Sequence, residues 1–346
     1  MSRRAFLSLA TALMVAGIAV PGWARPFTDA AGRTVEVPDA PKRVLTAGPP
    51  ASVLVYALAP ETLVGWVREP SAAEKPFLAA PYRDLPAYGR LTGRGNTANM
   101  ETVLAAAPDL ILDVGSVDPT YASLADRVQE QTGIPYVLID GAIARTPETL
   151  REVGALLGVP EAAEARAVFA EETLARARAR VAAIPAAERP RVYYGRGPDG
   201  LETGLAGSIN MEVLAFVGAE NVAEAAGGGG LANVSVEQVL GWDPQVILAQ
   251  DPAFQRTVLT DPLWAGVTAV REGRVYRAPA LPFGWFDAPP GVNRLIGVDW
   301  LTSVLYPGEA PEALRARTRE FYELFYHVDL TEAELDTLLA GTTPAP

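Results

Sequence analysis

Glu101-Thr-Val-Leu-Ala-Ala-Ala-Pro-Asp-Leu-Ile-Leu112 returns 136 residues later as Glu237-Gln-Val-Leu-Gly-Trp-Asp-Pro-Gln-Val-Ile-Leu248, with six of the twelve positions identical. That interval is too long for a solenoid repeat and suits one domain. Both copies have the same physical plan. An acid opens a short amphipathic helix, where it meets the positive end of the helix dipole. A proline stops the helix. The apolar run that follows predicts a strand of a buried parallel sheet. Two such copies predict two similar α/β lobes, and a cleft between lobes suits a small ligand.

The neighbouring segments extend this plan. Phe27 to Pro38 alternates around an Asp/Gly turn and predicts a hairpin. Arg43-Val-Leu, Leu63 to Val67, Leu110 to Val114 and Tyr136 to Ile139 predict strands of the first lobe, and residues 51–60 a helix. Arg191-Val-Tyr-Tyr-Gly195 opens the second lobe, followed by the glycine-rich loop to Gly200, a helix near Asn210 and the run Gly227 to Gly230. Between them, residues 160–185 are rich in Ala, Glu and Arg and bounded by Pro160 and Pro185. Propensity and caps predict one long, stiff connecting helix. The expected organisation is an N-terminal lobe over 25–159, the connector over 160–185, a C-terminal lobe over 186–340 and a frayed tail over 341–346. A stiff joint predicts a small closure on ligand binding rather than a wide swing.

Residues 1–24 read as an export signal: Arg3 and Arg4, an apolar stretch from Leu7 to Val20, then small residues before the cut. Ser2-Arg-Arg-Ala-Phe-Leu7 also resembles a twin-arginine signal. The chain has no cysteine, which removes N-terminal lipid attachment, disulfides and thiolate metal sites together. A free, monomeric protein of the periplasm is expected. Cleavage after residue 24 would move the formal charge from −12 to −14. So acidic a chain is a poor binder of nucleic acid or anionic membranes, although a few converging arginines still hold an anion.

Asp29-Ala-Ala-Gly-Arg-Thr-Val-Glu-Val-Pro38, Asn99-Met-Glu-Thr-Val-Leu-Ala-Ala-Ala-Pro-Asp-Leu110 and Val234-Ser-Val-Glu-Gln-Val-Leu240 together resemble the class III periplasmic substrate-binding proteins of ABC importers, the group that carries ferric siderophores, haem and cobalamin. The resemblance covers nearly all of the chain beyond the export segment. It implies two Rossmann-like lobes, delivery of cargo to an inner-membrane permease dimer, and one surface glutamate per lobe that docks on basic permease residues. Those glutamates fall on Glu101 and Glu237, the pair already marked by the repeat. For cargo it implies first an iron(III) complex of the siderophore type. A molybdate or tungstate oxyanion is the alternative within the same fold, and cobalamin or haem the third.

Ligands of α/β lobes sit beyond the carboxyl ends of the strands. The loops there carry Arg68, Arg94, Tyr121, Tyr194, Arg196, Trp285 and Phe286. Arginine forks onto carboxylates, catecholates and oxyanions, and Trp285 with Phe286 would offer flat apolar surface to a chelate or macrocycle. An oxyanion alternative would draw on the loop Gly48-Pro-Pro-Ala-Ser52, where Pro49 and Pro50 lack N–H donors. His327 is the only histidine and reads as a surface residue of a C-terminal helix, so no imidazole metal cluster is expected. Gly195-Arg-Gly-Pro-Asp-Gly200 lacks the spacing of a dinucleotide or P-loop fingerprint, and a Ser–His–Asp set is not available around His327. The sequence therefore predicts a binding protein without catalytic residues or a resident cofactor.

Overall fold

The computed structural model describes residues 24–93 and 96–340. The expected export segment up to residue 23, Arg94, and the tail from 341 lie outside the described residues. Ala24–Thr28 (β1) and Thr34–Pro38 (β2) form the antiparallel hairpin. Val44–Thr46 (β3) leads into helix Pro49–Leu58 (α1), and Met100–Ala105 (α2) into Leu110–Gly115 (β4). Pro119–Thr132 (α3), Tyr136–Asp140 (β5) and Thr146–Leu157 (α4) complete the first lobe. Its sheet is parallel, in the order β3-β4-β5. Leu63 to Val67 is not a full strand: Leu63 makes a single bridge to Val44.

Pro160–Ala182 (α5) is the predicted long helix. Gly154 of α4 lies where an added Cβ would stand 2.1 Å from the Ala163 Cβ, so only glycine admits this crossing. Arg191–Gly195 (β6), Glu202–Gly204 (β7), Glu212–Phe216 (α6), Glu220–Asn221 (β8) and Leu231–Asn233 (β9) follow. Then come Val236–Trp242 (α7), Val246–Ala249 (β10), Pro252–Thr260 (α8), Thr268–Arg271 (α9) and Val275–Arg277 (β11). The second sheet is also parallel, in the order β11-β10-β6-β8, with β7 and β9 as a separate antiparallel pair. Arg294–Leu305 (α10), Pro311–Phe321 (α11) and Glu332–Leu339 (α12) close the chain.

The repeat is reproduced in atomic detail. Asn99 caps α2 through the N–H groups of Glu101 and Thr102, and Ser235 caps α7 in a capping box with Gln238. After each helix one non-glycine residue turns left-handed, Ala107 at φ 45° and Asp243 at φ 43°, just before Pro108 and Pro244. The carbonyls freed at each helix end need donors. Arg43 Nε donates to the Ala107 carbonyl at 3.1 Å, and Arg191 Nη2 donates to the Trp242 carbonyl at 2.8 Å. The Asp109 carboxylate accepts from the Arg43 N–H at 3.0 Å, and the Gln245 amide oxygen accepts from the Arg191 N–H at 2.9 Å. Thus β4 and β10 occupy matching central positions in their sheets.

The C-terminal segment, expected within the second lobe, also packs on the first. The Tyr56 hydroxyl of α1 donates to the Tyr326 carbonyl at 2.6 Å. Asp299 of α10, nearly buried, takes Arg176 of α5 at 3.1 Å and Arg317 of α11 at 3.3 Å. Buried Arg294 pairs with Glu212 at 2.7 Å and also donates to the Gly141 carbonyl, while Glu212 accepts the Ile143 N–H at 2.9 Å. The lobes are therefore tied by buried polar contacts as well as by α5.

Candidate functional site

The carboxyl ends of both sheets open onto one cavity of about 940 Å³. The first lobe contributes Gly48 to Pro50 at the start of α1, Trp66, Arg68, Arg90, Thr92, and Asp113 and Ser116 after β4. The second contributes Arg196, Glu202, Ser208, Asn210, the glycines 229 and 230, and the loop from Pro282 to Pro290. That loop carries cis peptides before Pro282 and Pro289. Asn293 holds it by donating to the Gly284 and Pro289 carbonyls at 2.5 and 2.8 Å.

One buried acid stands on each wall. Asp113, 4% exposed, accepts from the Thr92 hydroxyl at 3.2 Å and the Tyr136 hydroxyl at 3.0 Å. Burial pushes its carboxyl up to about 6, against the opposing pull of those hydroxyls and the Val114 N–H. Asp287, 1% exposed, accepts from the Tyr194 hydroxyl at 2.5 Å and the Asn210 amide at 3.1 Å. Arg196 Nε lies 2.8 Å from it, an ionic contact outside good hydrogen-bond geometry. The second edge of the same guanidinium pairs with Glu202. Burial raises the Asp287 carboxyl as well, with Arg196 opposing. On the first wall Arg68 and Glu74 pair at 2.5 Å, and this hydrogen-bonded pairing raises the arginine. Asp118 is occupied in capping α3, accepting from the N–H groups of Thr120 and Tyr121.

Of the residues expected in the cleft, the structure places Arg68, Tyr121 and Arg196 on the cavity wall. Three others are not there. Trp285 is fully buried and its indole N–H reaches the Tyr322 hydroxyl at 3.2 Å. Phe286 is buried against Tyr194, ring centroids 4.0 Å apart. Tyr194 itself supports the cleft from behind, through Asp287. Their side chains serve the core because the loop turns its next residue, Asp287, towards Arg196 while Trp285 meets the C-terminal helices. The flat apolar groups on the wall are Trp66 and Phe283 instead. Glu101 and Glu237 are exposed, each in the first turn of its helix. His327 is a half-buried residue at φ 58° that follows a helical turn and packs edge-on against Tyr56, its ring centroid 5.5 Å away, rather than a surface helix residue. Sequence reasoning missed Asp113 and Asp287. The signal for Asp113 was a lone acid inside the apolar run from Leu110 to Val114.

Among the described residues no cluster of His, Asp and Glu has the arrangement to hold a metal ion. No described helix is long and apolar enough to cross a membrane.

Residues 62–281 match the periplasmic binding protein family, and the chain belongs to that family. It is 29% identical over 262 residues to the molybdate-binding protein MolA of Haemophilus influenzae, spanning 68% of this chain and 72% of that one. It is also similar to the solved ABC transporter solute binding protein from Sulfurospirillum deleyianum, at 31% identity and TM-score 0.80, covering 91% of this chain and 99% of that one. The structure of MolA bound to molybdate shares the fold at 23% identity and TM-score 0.73, covering 89% and 99%. Such proteins carry solutes to ABC permeases rather than transform them.

Proposed function

We propose that this protein captures a tetrahedral oxyanion of the molybdate or tungstate type outside the cytoplasm and hands it to an inner-membrane ABC permease. The observation that carries this reading is the chemistry of the cavity wall. Guanidinium and hydroxyl groups line it from both lobes, Arg90 and Ser116 from one and Arg196 and Ser208 from the other. Such donors recognise oxyanions. The aromatic pair Trp285 and Phe286, which would have argued for a large chelate, is withdrawn into the core. The molybdate-binding relative supports the same cargo class.

A second reading, an iron(III) chelate, is favoured by one observation: a cavity of about 940 Å³ is far roomier than one oxyanion needs. Titration of the exported form with molybdate, tungstate, ferric catecholate, ferric hydroxamate, haemin and cobalamin separates the two. Trp66 on the wall supplies the fluorescence signal. Saturable quenching by molybdate or tungstate, weakened at least tenfold in Arg196→Ala, is the expected result. A response to ferric chelates alone transfers the function to iron uptake.

In this reading residues 1–24 direct export, and the chain acts as a free periplasmic protein. Glu101 and Glu237 are the docking points for the permease. Their matching helix turns and exposure support that role, and paired rim charges of this kind set register and on-rate.

A further inference from the structure

Asp113 and Asp287 are both buried at the same cavity, yet among the described residues only Asp287 has a cation beside it. Asp287 has Arg196 at 2.8 Å and feels Arg294 as well. Among the described residues the partners of Asp113 are neutral: Thr92, Tyr136 and the Val114 N–H. Among the described residues its surroundings are no richer in positive charge. β5 presents the Tyr136 hydroxyl; α3 presents Tyr121, with Asp118 at its start; α1 begins with the uncharged Gly48. Arg33 acts on the Tyr136 hydroxyl but is held by Asp29 at 3.0 Å and Asp126 at 2.8 Å. An added Cβ on Gly48 would stand 3.7 Å from Asp113 Oδ1, so the acid sits close under the backbone that opens α1.

An anion entering this cavity therefore meets a buried carboxylate whose partners among the described residues are all neutral. We infer that Asp113 takes one proton from solvent when a dianionic oxyanion binds, and so determines which charge class of cargo the first lobe accepts. The step is a simple protonation. The carboxylate and one proton from the buffer give the neutral acid, whose O–H then donates towards the bound anion. The inference rests on the oxyanion reading above. With the free carboxyl at about 6, roughly a tenth of the protein is in the accepting form at neutral pH, a cost of about tenfold in affinity.

The test is calorimetric titration of the exported form with molybdate, in buffers of different ionisation enthalpy and between pH 6 and 8. The expected result is uptake of close to one proton near pH 7.5, and affinity that gains about tenfold from pH 7.5 to 6.5. Asp113→Asn should bind with almost no proton uptake and a flat pH profile. Tyr136→Phe, which removes a donor to the carboxylate, should move the midpoint upward and serves if the first variant misfolds. Molybdate binding without proton uptake, or with an unchanged pH slope in Asp113→Asn, overturns the inference while leaving the oxyanion reading intact. Absence of any molybdate heat, with ferric chelates binding, overturns both.

Discussion

In the first lobe the chain turns left-handed at Ala107 after α2 and Arg43 closes the carbonyls there; in the second it turns at Asp243 after α7 and Arg191 does the same. Both central strands then run towards the cleft, and there the likeness stops. The first lobe places Asp113 among hydroxyls, and the second places Asp287 beside a guanidinium. The backbone plan is shared because helix termination and strand burial impose it on each copy. The cleft chemistry differs because the two acids come from different places: Asp113 lies in β4, where the repeat has Ala249 in β10, whereas Asp287 lies in the loop from Pro282 to Pro290.

The strongest test of that contrast is Asp287→Asn. Burial raises the Asp287 carboxyl too and so works against its charge, but the substitution also strips Arg196 of its most buried partner, and breaking a buried pair from one side costs about 3 kcal/mol, the larger effect. The expected outcome is a lower urea midpoint at pH 7.5 with an unchanged slope. A loss below about 1 kcal/mol would mean that the second acid is no more structural than the first.

Asp113→Asn should act in the opposite direction. The folded carboxyl lies above its ordinary 3.8, at about 6, so the folded state binds the proton more tightly than the unfolded chain. The penalty is absent below the ordinary value, grows as pH rises from 3.8 to about 6, and is complete above that. The variant should therefore gain on the order of 3 kcal/mol at pH 7.5 and only a small fraction of that near pH 4. Urea melts at the two pH values read this directly. A variant that is equally destabilised at both would make Asp113 a packing element.

The duplicated plan was legible because six identities preserved its physical steps: acid, apolar pair, proline, apolar strand. The long helix Pro160–Ala182 was legible from composition and bounding prolines. The facing of Trp285 and Phe286 was not. Position after a strand places a residue near the cleft, but which side chain points inward depends on Tyr322 and Tyr194, 37 and 92 residues away in sequence. The C-terminal packing against α1 was hidden for the same reason, since it rests on a long-range bond from Tyr56 to Tyr326. Both arginine clamps stood in plain view as Arg43-Val and Arg191-Val, yet their role required knowing which helix end each strand begins beside.

Those clamps give a smaller and symmetric prediction. Arg43→Ala and Arg191→Ala each leave helix carbonyls to water, and each should cost about 1 kcal/mol. Their double variant should be additive, because the sites belong to separate lobes. Equal losses by urea unfolding would support one shared local design. A loss confined to Arg191→Ala would instead indicate that the exposed Arg43 contributes little.

The smallest effect on stability belongs to Glu101 and Glu237, and there the two lobes should behave alike again. Both are exposed in the first helical turn, where caps are already supplied by Asn99 and Ser235. The Glu237 carboxyl is held below its usual range, first by a backbone N–H and then by the Ser235 hydroxyl, but at full exposure this carries no weight in the fold. Each alanine variant should keep the parent's urea midpoint and bind cargo as the parent does. If the proposed docking role holds, uptake into vesicles carrying the permease should nevertheless fall several-fold in either variant and further in the pair, since both contacts would fix the same register. Unchanged uptake in the double variant would remove these residues from docking and leave the acid of the repeat as a helix-dipole feature alone.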